Sequence, residues 1–337
     1  MNSKKRILLT GASGTIGYEV LKQLVEKNQY EITAFAPKTK KSIKKFSPFL
    51  DDIIIVYGDI NSETDLKKIC SNKDVVIHLA AIIPPLADEK PELSFKVNTQ
   101  GTKMLIQKLE VLSPNVFFLY SSSIAVYGDR INNPLIKVTD EFNPSEGDDY
   151  SITKIEAEKI IRNSNLDWSI FRLGAIMGGH KMSKLMFHQP LNTSFEIATP
   201  EDTARAFVNA IEKQTELSKR IFNLGGGEKC RTTYKDFLKE SFQIFGLGKF
   251  DFPQNAFAEK NFHCGYYVDG DDLNKLLDFQ KDTLDSYYNK ERKKVSPLIK
   301  SITSLLNRQI KKYMLKQSEP LIAIKNKDAK MINRFFN

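Results

Sequence analysis

Cysteine, histidine and tryptophan are scarce in this chain, with three, four and one among 337 residues. Cys70, Cys230 and Cys264 lie far apart, which excludes a disulfide framework of closely paired spacing. His78, His180, His188 and His263 form no HExxH group and no CxxC accompanies them, so no metal site is expected. A run of ~20 apolar residues is missing as well, which excludes an ordinary transmembrane helix. The start, Met1-Asn2-Ser3-Lys4-Lys5-Arg6, leads into only a few apolar residues before Gly11, too few for the core of a signal peptide. A cytoplasmic location is therefore expected. The chain does not lack core material: 41% hydrophobic and 27% charged residues are ordinary globular usage, enough for one large or two modest domains.

The net charge of +9 is unevenly spread. Residues 290–337 hold 13 Lys/Arg against 3 Asp/Glu, while residues 1–289 hold 37 basic and 38 acidic groups. The body is neutral and the tail basic, so the charge does not mark the whole protein as a nucleic-acid binder.

Continuous apolar runs at Ile7–Leu9, Ile32–Ala36, Ile53–Tyr57, Val75–Ala80, Val116–Ser121 and Trp168–Leu173 read as strands buried on both faces. Between them Tyr18–Glu26, Glu63–Cys70, Phe95–Leu109 and Ser151–Arg162 have helical spacing. That alternation predicts an α/β fold with a doubly wound parallel sheet. We expect a dinucleotide-binding core over 1–174, a mixed substrate-binding region over 175–289 with elements returning to the core, and a basic helical extension over 290–337.

The first strand runs into Thr10-Gly11-Ala12-Ser13-Gly14-Thr15-Ile16-Gly17 and then a helical pattern. Glycine suits a tight strand-to-helix turn and a close approach to a pyrophosphate, and the free N–H groups of the helix start suit its charge. The GxxGxxG spacing resembles that of short-chain dehydrogenases/reductases. Other segments resemble the same family in order: Gly58-Asp59-Ile60, His78-Leu79-Ala80-Ala81, Val97-Asn98-Thr99-Gln100-Gly101-Thr102, Tyr120-Ser121-Ser122-Ser123 and Tyr150-Ser151-Ile152-Thr153-Lys154. Arg172-Leu173-Gly174, Glu201-Asp202-Thr203-Ala204-Arg205-Ala206 and Asn223-Leu224-Gly225-Gly226-Gly227 are similar to its extended branch, the NAD(P)-dependent epimerase/dehydratase type with a Rossmann sheet.

The resemblance implies that Gly11, Ser13, Gly14, Thr15, Ile16 and Gly17 cradle NAD(P), with Asp59, Ile60, Leu79, Ala80 and Ala81 along the cofactor. It assigns proton transfer to Tyr150, support of Tyr150 and the nicotinamide ribose to Lys154, and the substrate-oxygen hydrogen bond to Ser123. Asn98 is the fourth member, acting through backbone and water. Tyr150 and Lys154, four apart on a helix, share a face, and an ammonium beside a phenol of ordinary pKa ~10 favours phenolate. For the ribose an acid is expected ~20 residues past the glycines, yet no carboxylate lies between Glu31 and Asp51. Lys38, Lys40, Lys41, Lys44 and Lys45 stand there instead, so NADP is preferred over NAD, with a solvated basic loop as the alternative.

Three features bear on the reaction. Ile124-Ala125 occupy the positions where nucleotide-sugar 4,6-dehydratases carry an Asp-Glu pair, which disfavours that elimination. Only 29 residues separate Arg172 from Asp202, a short segment for holding a nucleoside diphosphate. Lys181, Lys184 and Arg231 could still receive a diphosphate. The leading reading is an NAD(P)-dependent oxidoreductase or epimerase of a sugar or nucleotide-sugar. The alternatives are an NADPH-dependent reductase of a small carbonyl compound and a non-catalytic dinucleotide-sensing module. His78 reads as a satisfied core residue, Arg172 as a contact of cofactor or substrate or as the partner of a carboxylate such as Asp202, and His263–Tyr267 as a wall over the substrate or an aromatic surface loop. By resemblance, a homodimer would form on the helices beginning near Phe95 and Ser151.

In the extension, Val295, Leu298, Ile299, Ile302, Leu305, Leu306, Ile310 and Tyr313 recur at helical spacing among lysines. This predicts one basic amphipathic helix over 295–316, ended by Pro320. It would lie peripherally on the anionic inner membrane surface, or dock on the body or a second subunit; no nucleic-acid reader accompanies it. Every motif lies upstream of about residue 285, so residues 290–337 are expected to be dispensable for the catalytic fold and cofactor binding.

Overall fold

The computed structural model describes residues 4–178 and 184–336. Seven parallel strands form the central sheet: β1 (Lys5–Thr10), β2 (Tyr30–Ala36), β3 (Ile54–Tyr57), β4 (Val75–His78), β5 (Phe117–Ser123), β6 (Asp167–Leu173) and β7 (Arg220–Leu224). Their spatial order is 7-6-5-4-1-2-3. The order reverses between β1 and β4, and ligands bind such sheets at that switch point, beyond the carboxyl ends of the strands.

Successive side chains of a strand point to opposite faces, and here both faces are covered. Ile7, Leu9, Ile77, Leu119 and Phe171 enter one core, beneath α1 (Thr15–Lys27) and, further along the chain, the helix Pro200–Ala210. Leu8, Val76, Phe118 and Ile170 enter the other, with residues from the helices Glu63–Ile69, Thr102–Leu112 and Asp149–Arg162. This explains why the strands read as unbroken apolar runs. Past α1, and leaving aside the short helices Leu86–Glu89, Pro91–Phe95 and Gln214–Leu217, the helices are α2 (Lys40–Phe46), α3 (Glu63–Ile69), α4 (Thr102–Leu112), α5 (Asp149–Arg162), α6 (Pro200–Ala210), α7 (Tyr234–Ile244), α8 (Gly270–Leu277) and α9 (Leu284–Lys294). The helix α1 packs along α6.

The single helix expected over Phe95–Leu109 departs from regular winding. Lys96–Gly101 form a widened π-type turn before α4. Inside that turn the Asn98 side chain bonds to both backbone groups of Ile82, accepting from its N–H at 2.7 Å and donating to its carbonyl at 2.9 Å. The strand expected to run to Ala80 ends at His78, where Leu79 and Ala80 meet the glycine turn.

A third core, of Phe187, Phe195, Phe237, Phe242, Phe252, Phe257 and Tyr288, organises the second half of the chain. It also receives Met314 and, partly buried, Ile310, Leu315 and Leu321 from the extension. The one helix expected over 295–316 is therefore corrected to α10 (Pro297–Leu305) and α11 (Asn307–Leu315), broken at Leu306, which caps both. Pro320 opens α12 (Glu319–Asn326) instead of ending a helix, as suits a residue whose missing N–H is free in the first turn. The last helix is α13 (Ala329–Phe335). Among the described residues no helix is long and apolar enough to cross a membrane.

Candidate active site

The glycine turn joins β1 to α1. Gly11 has φ +69°, in the left-handed region, and a Cβ there would lie 2.6 Å from the backbone of Leu79 and Ala80. A Cβ on Gly17 would lie 2.2 Å from the Gly11 carbonyl oxygen. Both positions need glycine, one for its dihedral and both for space. Gly14 caps α1 without any side-chain hydrogen bond, and the first turn carries no acid. The helix therefore offers free N–H groups and an uncancelled positive dipole end, the provision a pyrophosphate requires. The residues fit a dinucleotide.

Gly11, Gly14, Thr15, Ile16 and Gly17 share a cleft of about 420 Å³ with Ser123, Tyr150 and Lys154. Leu79 and Ala81 also line it, and Ala80 gives its N–H to the Thr10 hydroxyl at 3.3 Å. The other expected cofactor residues stand away from this wall. Ser13 is half-buried in the turn, Ile60 is buried against Gly101, and Asp59 is exposed and accepts from the Asn61 N–H at 2.9 Å. Lys38 is exposed. The lysines from Lys40 to Lys45 lie on helix α2 and not on a loop, and Lys45 reaches the glycine turn, with Nζ 3.2 Å from the Gly14 carbonyl oxygen and 4.7 Å from the centre of the Tyr18 ring.

Helix α5 begins where the Asp148 carboxylate accepts the Ser151 N–H at 3.0 Å. Tyr150, Lys154, Ala157, Glu158 and Ile161 are its buried side, at spacings of three and four, which put them on one face. Lys154 Nζ donates to the Ser121 carbonyl at 2.8 Å and lies 4.8 Å from the centre of the Tyr120 ring. Burial lowers its pKa to about 7, opposed by the charge of Glu158. Burial also pushes the Tyr150 phenol well above its ordinary value; the hydrogen bond with Ser123 acts the other way, and the charge of Asp148 adds to the rise. The sequence reading, in which an adjacent ammonium draws the phenol down, is not realised in this geometry. The Asn98 side chain is spent on Ile82, on Ser94 at 3.1 Å and on Thr153 at 3.0 Å, so it braces the wall from behind.

Several neighbours differ from expectation. Arg172 pairs with a carboxylate, as one of its readings expects, but with Glu158 and not Asp202. It makes a bidentate bond to the buried carboxylate of Glu158 at 3.0 and 2.8 Å and donates to Tyr127 at 2.7 Å. Asp202 instead holds Arg205 and the N–H groups of Lys281 and Asp282. Lys184 is paired with Glu89 and Glu319, and Arg231 with Glu196, so neither is free for a diphosphate. Lys181 lies outside the described residues. His78 has the core role expected. Its Nδ1 lies 2.6 Å from Thr10 Oγ1 and its Nε2 2.9 Å from Thr102 Oγ1, and burial lowers its pKa to about 3, so it is neutral.

The mouth of the cleft contains residues that sequence reasoning passed over: Asp88, Asp148, His188, Arg334 and Phe335. The last two come from α13, so the extension furnishes part of the wall and the grounds for calling it dispensable fall away. Arg334-Phe335-Phe336 carries no periodic signal, and nothing short of the folded chain brings it here. Of the segment His263–Tyr267, His263 lines the cleft, stacked on Phe262 at 4.7 Å. Its Nδ1 is 3.4 Å from Asp148 Oδ2, an ion-pair distance without hydrogen-bond geometry. Ala125 packs with Ala87 and Tyr150, so the position beside the phenol is apolar.

A parallel sheet with its glycine turn and Ser-Tyr-Lys wall on one cleft defines a Rossmann-type fold of the dehydrogenase/reductase class. The chain belongs to the NAD dependent epimerase/dehydratase family, whose sequence profile matches residues 7–225. It is 32% identical over 183 residues to a UDP-glucose 4-epimerase of Vibrio cholerae, a match spanning 52% of each chain. A D-erythronate dehydrogenase of Cupriavidus necator is 24% identical over 251 residues, 65% of this chain and 76% of that one. The chain thus spans about half the length of the first of these relatives. The UDP-glucose 4-epimerase of Thermotoga maritima has the same fold, with TM-score 0.71 at 20% identity over 86% of this chain and 97% of that one.

Proposed function

We propose that the chain is an NAD(P)-dependent oxidoreductase or epimerase that interconverts a hydroxyl and a carbonyl on a sugar or nucleotide-sugar. The observation that carries this reading is the shared cleft, with Ser123, Tyr150 and Lys154 facing the glycine turn. Gly11 to Gly17, Leu79 to Ala81 and Lys154 would hold the dinucleotide, with Asp59 and Ile60 toward its adenine end. When bound, the dinucleotide supplies or accepts the hydride.

Ser123 donates a hydrogen bond to the substrate oxygen and Tyr150 transfers the proton to or from that oxygen. In the reducing direction Tyr150 would give its proton to the carbonyl oxygen, and in the oxidising direction it would take the proton of the hydroxyl. The burial of Tyr150 keeps the phenol protonated, so it enters a reduction carrying the proton it gives. The apolar Ile124-Ala125 offers no second acid or base for eliminating water.

NADP(H) is preferred over NAD(H) in this reading. Support comes from the acid-free end of β2 and from Lys45 turned toward Gly14. Exposed Leu93, Phe95 and Ile152 support a homodimer on the helices around Phe95 and Ser151. A second reading, reduction of a small carbonyl compound, is favoured by the internal pairing of Lys184 and Arg231, which leaves no diphosphate clamp there. The test is a titration of both dinucleotides followed by cofactor-turnover and epimerisation assays on a panel of nucleotide-sugars and small hydroxy acids. An epimerase returns its cofactor unchanged, whereas a reductase consumes it. A chain that binds a dinucleotide yet turns over nothing, with Tyr150→Phe indistinguishable from wild type, is a sensing module.

A further inference from the structure

Helix α10 is built inside out. Its start is conventional, with the Ser296 hydroxyl accepting the Ile299 N–H at 3.2 Å and Pro297 in the first turn. An amphipathic surface helix ordinarily turns its apolar stripe inward. Here no residue of the helix is buried. Leu298, Ile299, Ile302 and Leu305 are 70, 57, 50 and 82% exposed, and they form one stripe at spacings of three and four.

The side against the body is polar. A Cβ on Gly246 would lie 2.6 Å from the Lys300 carbonyl oxygen and 3.1 Å from Lys300 Cγ. Thr303 and, just past the helix, Asn307 are half-covered. At either end Val295 and Ile310 pack on the third core, so the outward stripe is held in place and does not belong to a loose terminus. Tyr313 is exposed on the next helix, α11, and Phe245 is exposed beside Gly246. A contiguous apolar face of this kind marks a contact surface.

The charge around the stripe has one sign. From Arg292 to Ser318 there is no Asp or Glu and there are eight Lys/Arg. Arg292, Lys294 and Lys311 pair with Glu240, Glu291 and Asp251. Lys293, Lys300, Arg308, Lys312 and Lys316 are exposed and have no ion pair among the described residues. A two-fold contact between copies would set this surface against itself, with like charges opposed and no acid in the segment to separate them. A surface of anionic lipid offers the opposite charge to the lysines and an apolar layer to the leucines, and the two attractions add.

We propose that α10, with its flanks from Lys293 to Lys316, is a docking face that lays the protein on an anionic bilayer. The helix lies in the plane of the headgroups and spans nothing. The proposal does not depend on the assigned reaction, because none of these residues lines the cleft.

The test is co-sedimentation of the full chain with phosphatidylcholine vesicles, with and without phosphatidylglycerol. Binding is expected only to the phosphatidylglycerol vesicles, weakening as salt rises. It should fall ~10-fold or more in Leu298→Ser/Leu305→Ser and in Arg308→Glu/Lys312→Glu, one removing apolar contact and the other charge. These side chains are exposed, so both variants should keep the wild-type melting profile and dinucleotide affinity. No binding of the full chain at low salt overturns the proposal, as does binding undiminished in both variants. A concentration-dependent dimer that Leu298→Ser/Leu305→Ser dissolves, without vesicle binding, assigns the face to a second copy and also overturns it.

Discussion

Lys154 lies 5.8 Å from the centre of the Tyr150 ring and gives its hydrogen bond elsewhere, to the Ser121 carbonyl at 2.8 Å. The two residues share a helix face, and the Lys154 hydrogen bonds go to Tyr120 and Ser121 and not to the Tyr150 phenol oxygen. Tyr150 therefore depends on burial and Ser123 for its proton affinity, while Lys154 has its own titration to be measured. Tyr150→Phe is expected to leave dinucleotide binding nearly intact and to lower turnover by ~10²-fold or more, since it removes only the proton carrier. Binding by fluorescence titration and turnover under saturating substrate check this, and equal turnover in the variant refutes the assignment.

The lowered pKa of Lys154 links stability to pH. Burial brings the folded value to about 7 from 10.5, so between those values the unfolded chain binds more protons than the folded one. The contribution of Lys154 to stability therefore rises from pH 7 to 10.5 and is least favourable below 7, where the buried amine must be charged. Lys154→Met lacks this dependence. Urea unfolding of both proteins through that range should show the wild type gaining on the variant as pH rises; parallel curves contradict the buried, low-pKa amine.

His78 is linked in the same sense at lower pH. Its folded pKa of about 3 lies below the ordinary 6.5, so its stabilising effect is present above 6.5 and is lost as pH falls toward 3. We expect His78→Gln to cost stability at pH 7, where two hydroxyl contacts are disturbed, and to flatten the loss on acidification. Melting curves of wild type and variant at pH 7, 5.5 and 4 measure both effects.

Arg172 is expected to matter for folding more than for chemistry. Its partner Glu158 is wholly buried, and Arg172→Met would leave that carboxylate without its counter-ion, which costs about 3–5 kcal/mol. The double variant Arg172→Met/Glu158→Gln should recover much of the loss. If instead Arg172→Met kept wild-type stability and lost substrate binding, the arginine would be facing ligand.

Arg334 and Phe335 tie the extension to the cleft. Removing residues 329–337 should raise KM for substrate with little change in dinucleotide affinity, because α13 lines the mouth and not the glycine turn. Arg334→Ala, which keeps the helix, should reproduce the KM rise in part. An unchanged KM in both would make α13 a packing element only.

What the sequence determined by itself was local and periodic. Continuous apolar runs announced strands buried on both faces, because the alternating residues Leu8 and Leu9 serve two different cores. Gly11 and Gly17 were legible because no other residue fits their dihedral or space, and Tyr150 and Lys154 because spacing on a helix fixes a shared face. Tertiary structure decided the rest. Arg172 takes Glu158 over Asp202 because strand register and helix docking set which carboxylate is within reach. The direction of the α10 stripe could not be read, since periodicity fixes which residues share a face and not which way that face turns; the anchoring of Val295 and Ile310 turns it outward. Arg334 reaches the cleft from the far end of the chain through helices whose docking depends on the third core, a long-range arrangement with no local pattern to announce it.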